Sequence, residues 1–177
     1  MTESLLARVV HVLEEKQIGF ALIGAAAMAA RGVSRSTYDT DLFSVGPRVL
    51  DDSMWQALAV DGIDVDVRHG DDEDPLLGVV RFMQSDQVID LVVGRSAWQM
   101  DVIGRATPTQ VFSLKLPIAT VEDLILLKLY AGGTQDRWDI QQLLTSGGAA
   151  VGVADIDARV SQLPERCQEL WRQLRSA

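Results

Sequence analysis

The stretch Phe20–Phe43, FALIGAAAMAARGVSRSTYDTDLF, decides how the chain is read. Phe20–Ile23 is a short apolar run that reads as a buried strand ending at Gly24. Ala25–Arg31 is alanine-rich and of high helix propensity, and Gly32 stops it. A loop over residues 33–38 leads to Asp39–Ser44, which reads as a second strand. A strand that turns directly into a helix leaves the first N–H groups of the helix without partners. Such a turn can receive a phosphate. On the second strand, Asp39 and Asp41 share a face because side chains alternate, and they lie ~7 Å apart along the chain. Two carboxylates at that spacing repel unless a cation lies between them, and oxygen-only ligands suit a hard cation such as Mg²⁺.

Further along, Asp90 is the one acid in the apolar run Val88–Val93. A lone acid there is costly unless it is paired or binds a metal. If its strand lies beside Asp39–Ser44, three carboxylates converge, and such a triad can hold two divalent ions. The competing reading pairs Asp90 with an arginine such as Arg81 on a neighbouring strand. Asp64 and Asp66 repeat the alternating pattern, but no glycine turn precedes them and their neighbours are acidic, so they read as a solvated strand face. Arg35 and Thr37 either bind phosphate or brace the loop.

Around this centre the pattern predicts an amphipathic helix over residues 4–16 and a helix over Pro47–Val60. Ile63, Val65 and Val67 alternate with polar residues as a half-exposed strand. Val79–Met83 and Val88–Val93 form a hairpin through Ser85-Asp86. Ser96 caps a short helix through Val102. Residues 109–119 are extended, with Pro117 marking an edge or an end. Thr120 caps a helix through Tyr130, broken by Gly132-Gly133. Arg137–Leu144 and residues 155–175 are helical, the latter interrupted near Pro164. Trp138 and Trp171 read as core. The order predicts an α/β (α+β) protein with a mixed sheet, flanking helices and a C-terminal helical cluster.

The pattern G-A-x-A-x-x-x-x-G-x-x-R-x-T-x-D-x-D-L over Gly24–Leu42, with the later Ile89-Asp90-Leu91, resembles the nucleotidyltransferase superfamily, whose fold is that of the DNA polymerase beta palm. Within it the chain is most similar to the AbiEii-type abortive-infection toxins. Asp123-Leu124, Lys128, Ala131, Asp136 and Asp139-Ile140 extend the resemblance. It implies a palm-like domain over 1–119 and a helical segment over 120–177 packed on it. It implies that Gly24 and Ala25 cradle nucleotide phosphates, and that Asp39, Asp41 and Asp90 are catalytic and bind Mg²⁺ or Mn²⁺. Lys128 would reach a phosphate, and Asp136 would orient it or line the pocket. Where many members carry Gly-Ser or Gly-Gly, this chain has Gly24-Ala25, so only the backbone contact survives. The implied reaction is transfer of a nucleoside monophosphate from an NTP to an acceptor hydroxyl on RNA, protein or a small molecule. A toxin–antitoxin or phage-defence setting would add a cognate antitoxin as partner. The alternative is a nucleotide-binding or protein-interaction module with weak catalysis on the same fold.

Composition bounds these readings. The 177 residues are 47% hydrophobic and 23% charged, those of a soluble globular protein. A single cysteine, Cys167, excludes an internal disulfide and a cysteine-built zinc site. No apolar run is long enough for a membrane span, and residues 1–17 do not read as a signal peptide, so a cytoplasmic protein with no membrane partner is expected. The net charge of −9 is concentrated: residues 51–74 hold nine acids against Arg68 alone. An acceptor should therefore dock away from that segment. If Arg31, Arg35, Arg95, Arg105, Lys115 and Lys128 gather at one cleft, a tRNA-like polyanion fits; if they scatter, a protein or small-molecule hydroxyl fits better.

Overall fold

Leu5, Leu6, Val9, Val10, Val12 and Leu13 bury one face of α1 (Leu5–Glu15). The computed structural model describes residues 4–33, 39–146 and 151–176. Ser4 caps α1 by accepting from the Ala7 N–H at 3.2 Å. β1 (Phe20–Ile23) runs straight into α2 (Gly24–Ala30), and β2 is Asp39–Ser44. The helix expected over Pro47–Val60 is instead two 3₁₀ turns, Pro47–Leu50 and Asp52–Trp55, followed by α3 (Gln56–Val60). The break is at Asp51, whose backbone is extended and whose carboxylate accepts from the Ser53 N–H at 2.9 Å. That local bond competes with a continuous helix. Trp55 is buried, donates to the Val49 carbonyl at 2.8 Å and meets Phe82 edge-on.

β3 (Asp64–His69), β4 (Leu76–Gln84) and β5 (Gln87–Gly94) form a meander. The β4–β5 turn is Ser85-Asp86, with Ser85 at φ 57°. α4 (Ala97–Arg105) leads to β6 (Thr107–Val111) and β7 (Leu114–Ile118). These two strands are a hairpin where the pattern indicated one extended segment. Its turn residues, Phe112 and Ser113, are both left-handed, at φ 51° and 64°. Such turns ordinarily use Gly, Asn or Asp, so no residue type marked it. α5 (Val121–Ala131), α6 (Thr134–Ser146), α7 (Val153–Val160) and α8 (Glu165–Ser176) complete the chain.

The seven strands make one mixed sheet in the order β3-β4-β5-β2-β1-β7-β6. β2 and β5 are parallel neighbours, while β1–β2, β3–β4, β4–β5 and β6–β7 are antiparallel. β7 joins β1 through the single register pair Leu22–Ile118, so Pro117 lies where the ladder is ending. One sheet face carries Leu42, Val80, Phe82, Ile89, Leu91 and Val93, all buried. Each large apolar side chain there contributes roughly 1.5–3 kcal/mol. The same hydrophobic core continues through Leu124, Ile125, Leu129, Ile140, Leu143, Cys167 and Trp171, so it runs across the 119/120 boundary without a gap. Trp171 is core as expected, but Trp138 is 46% exposed, because α6 turns Asp139, Ile140 and Leu143 inward instead. Among the described residues, no helix is long and apolar enough to cross a membrane.

Candidate active site

Gly24 is where the strand-to-helix turn meets the carboxylates. Its φ of +65° is left-handed, and Ile23 is the register partner of Asp41 across β1–β2. A Cβ placed on Gly24 would overlap Asp41 Oδ2 and lie 2.9 Å from Asp41 Cβ. Both the backbone conformation and the close approach therefore require glycine. Ala25 is turned into the core, so it can serve a ligand only through its backbone.

Asp39 and Asp41 share one face of β2, and the parallel β2–β5 register sets Asp41 directly opposite Asp90. The register continues from Asp90 to Arg81 on β4 and from Arg81 to Asp66 on β3. Ile23, Asp41, Asp90, Arg81 and Asp66 thus form a cross-strand row on the face opposite the apolar one. Arg81 holds Asp90 bidentately, Nε to Oδ1 at 2.7 Å and one terminal nitrogen to Oδ2 at 2.6 Å. The Asp90 side chain is 14% exposed. Its hydrogen bonds and charge raise the Arg81 pKa, with smaller contributions from Asp39 and Asp66. Asp64 is exposed, and Asp66, partly exposed, accepts from Nε of the exposed Arg68 at 2.7 Å.

The donor set on this face is oxygen-only, which fits a hard divalent cation. Among the described residues, no group of three His, Cys, Asp or Glu side chains is gathered to hold a metal ion. Both oxygens of Asp90 are engaged by the Arg81 guanidinium. Asp39 and Asp41 are the carboxylates that β2 brings to the same face.

Two cavities meet at Asp41, Leu76 and Val92. One, of about 340 Å³, lies over β3–β5 with the charged or polar side chains of Arg68, His69, Asp74, Arg81 and Asp90 in its wall. The other, of about 500 Å³, lies between the sheet and α5, with Gly24, Phe43, Leu127, Lys128, Tyr130 and Asp136 in its walls. Lys128 faces this second cavity and is only 12% exposed. Its ammonium donates to Asp136 at 3.3 Å and to the fully buried Asp139. Asp136 has two tasks: it accepts from Lys128, and it accepts from the Gly133 N–H at 3.0 Å at the start of α6.

The structure thus brings Gly24, Asp41, Lys128 and Asp136 to one cavity, with Asp39 and Asp90 on the adjoining strand face. Arg35 and Thr37 lie outside the described residues. Arg31, Arg95 and Arg105 line neither cavity. Arg31 donates to the carbonyls of Ala119 and Ile118 at 3.0 and 2.9 Å, and its burial lowers its pKa. Arg95 binds the carbonyls of Asp71, Asp72 and Leu76, and Arg105 forks onto buried Asp123 at 3.0 and 2.6 Å. Sequence reasoning missed Gln99, a buried polar residue in the wall of the larger cavity. The available signal was the spacing Ser96-x-x-Gln99, which marks a capping box.

The sheet order, the glycine turn and the carboxylate strand define a nucleotidyltransferase fold. The chain belongs to the family described as "nucleotidyl transferase of unknown function (DUF2204)", whose model matches residues 2–176. The protein is therefore a nucleotidyltransferase; the AbiEii-type branch is not supported by this match. No curated protein matches the sequence. Among solved structures, ANT(2″)-Ia in complex with adenylyl-2″-tobramycin is similar at TM-score 0.55 and 16% identity, covering 97% of this chain and 95% of that one. The lincomycin-bound lincosamide antibiotic adenylyltransferase LnuA is similar at TM-score 0.52 and 16% identity, covering 82% and 98%. A putative nucleotidyltransferase from Thermotoga maritima, TM1012, is similar at TM-score 0.55 and 12% identity, covering 79% and 90%. At these identities the likeness is one of fold.

Proposed function

We propose that this nucleotidyltransferase moves a nucleoside monophosphate from an NTP to a hydroxyl of a small molecule: the acceptor oxygen bonds to the α-phosphorus, the α–β phosphoanhydride breaks, and pyrophosphate and the hydroxyl proton are released. The observation that carries the reading is the meeting of Gly24, Asp41 and Lys128 at one cavity that adjoins a second one. In this reading Gly24 lets the NTP phosphates approach the backbone closely, and Ala25 contributes only its N–H. Lys128 offers positive charge to a phosphate, and Asp136 and Asp139 fix its ammonium in place. Asp39 and Asp41 would hold Mg²⁺ or Mn²⁺, which would offset phosphate charge and make the α-phosphate more electrophilic. Asp90 supports the same face while Arg81 balances its charge. An acceptor hydroxyl enters from the smaller cavity, where Asp41 is the carboxylate shared with the nucleotide side.

The placement of the basic residues favours a small acceptor over tRNA or another polyanion. Arg31, Arg95 and Arg105 are spent on carbonyls and on buried Asp123. In the cavity of about 340 Å³, Arg68 and Arg81 are paired with Asp66 and Asp90, and Asp41 and Asp74 add negative charge, which does not suit a phosphate backbone. ANT(2″)-Ia, in complex with adenylyl-2″-tobramycin, and lincomycin-bound LnuA share the fold.

Calorimetry of ATP and GTP with and without Mg²⁺ tests the reading. Affinity should rise with the metal and fall in Asp41→Asn, whose melting temperature stays level or rises as carboxylate repulsion is relieved. Equal binding in EDTA would contradict it.

A further inference from the structure

Within the larger cavity, one polar group is out of balance. Gln99 is fully buried, and its Nε2 is the one buried side-chain nitrogen or oxygen without a hydrogen-bond partner among the described residues. The orientation of the amide is set by chemistry: the Ser96 N–H donates to Oε1 at 2.8 Å, and an N–H can only face an oxygen there. The amide nitrogen is thus left as a donor that needs an acceptor. Native structures rarely leave such a group unpaired, because the loss of its water is not offset.

Gln99 lines the same cavity as Gly24, Asp41, Lys128 and Asp136, and the rest of the wall is apolar or aromatic, including Phe43, Val92 and Leu127. A cavity with phosphate and cation groups at one part and flat apolar walls elsewhere suits a nucleotide, its base against the apolar part. We infer that Gln99 determines base specificity in this cavity: its Nε2 donates a hydrogen bond to a carbonyl oxygen or ring nitrogen of the nucleobase. The inference rests on the NTP reading above. A site built to donate rejects a base edge that presents an amino group at the same point, since two donors then face each other.

Gln99 also tethers the start of α4 through Ser96, so the test must separate reading from capping. Glutamate at this position keeps the Oε1 bond to Ser96 and replaces the donor with an acceptor. Methionine keeps the length and removes both. Titrations of Mg²⁺ with each of the four NTPs and with inorganic tripolyphosphate isolate the base contribution. The wild type should bind its preferred NTP at least ~10-fold more tightly than tripolyphosphate. Gln99→Met should erase most of that ratio and flatten the ranking of the four NTPs, while Gln99→Glu should lower the affinity of the preferred NTP and turn the ranking towards bases that present an amino group, both leaving tripolyphosphate binding within about two-fold. Variants that melt earlier but keep the wild-type ratio and ranking would make Gln99 a cap only and overturn the inference. Wild-type protein that binds every NTP no better than tripolyphosphate would overturn it without any variant, while leaving the phosphate reading intact. Wild-type protein that binds neither would remove the NTP reading itself.

Discussion

Arg81 grips Asp90 through two hydrogen bonds of 2.7 and 2.6 Å, one strand away from Asp41. A carboxylate expected to serve a metal is thus neutralised by an arginine from the adjacent strand. If both ligands draw on the same oxygens, Arg81→Ala should lower the melting temperature by several degrees and make it newly responsive to Mg²⁺. A charged hydrogen bond of this kind is worth roughly 1.5–3 kcal/mol, and the 38% exposure of Arg81 puts the cost at the low end. Thermal melts of both proteins with and without Mg²⁺ check this. An Mg²⁺ increment no larger than that of the wild type would show that Asp90 is not accessible to the cation.

Gly24→Ala tests the turn against the carboxylate. A non-glycine residue at φ +65° is strained by ~1–2 kcal/mol, and the new methyl displaces Asp41. Stability should fall by about that amount or somewhat more, while Mg²⁺-dependent NTP affinity falls at least ~10-fold. Denaturant melts and calorimetry on the same protein separate the two effects. Retained affinity in a folded variant would place the phosphates elsewhere.

Lys128→Ala should damage folding as well as turnover. The fully buried Asp139 loses its ammonium partner, and breaking a buried pair costs about 3–5 kcal/mol. Adding Asp139→Asn should recover part of that stability without restoring NTP affinity, since the buried charge that lost its ammonium is gone while Gln135 can still bond the side-chain oxygen, and the phosphate partner is still missing. Urea melts of the single and double variants read the first effect, and titration reads the second.

Glu122 ties α5 to the start of α7 by accepting from the Gly152 N–H at 2.8 Å. Burial pushes its pKa up, but the Gly152 N–H, its own N–H, the Thr120 hydroxyl and the Arg159 charge together hold it below the ordinary glutamate value. A depressed carboxyl stabilises the fold above its unfolded pKa and loses that contribution as pH falls through the folded one. Wild-type stability should therefore drop more steeply than that of Glu122→Gln below about pH 4.3. Melting curves from pH 7 down to the acid limit check this; parallel curves would contradict the assignment.

Sequence alone determined the part of the site that is local. Gly24 ends an apolar strand, and Asp39 and Asp41 lie two residues apart on the next one, so strand alternation fixes their common face without any knowledge of the fold. The Ser85-Asp86 hairpin, the Thr120 cap and the break near Pro164 were legible for the same reason: each depends on residues within a few positions of one another. The parallel register that sets Asp41 opposite Asp90, and then Arg81 and Asp66, was not, because register joins strands separated by long stretches of chain. The Phe112-Ser113 turn was hidden because neither residue type favours the left-handed conformation it adopts. Gln99 reads locally as a helix cap, and only the packing of α5 over the sheet turns it into a buried donor in the wall of a cavity. The chemistry carried by spacing along the chain is written in the sequence, whereas the choice of which charges and donors remain for a ligand is made by packing, where each group's partners come from distant segments.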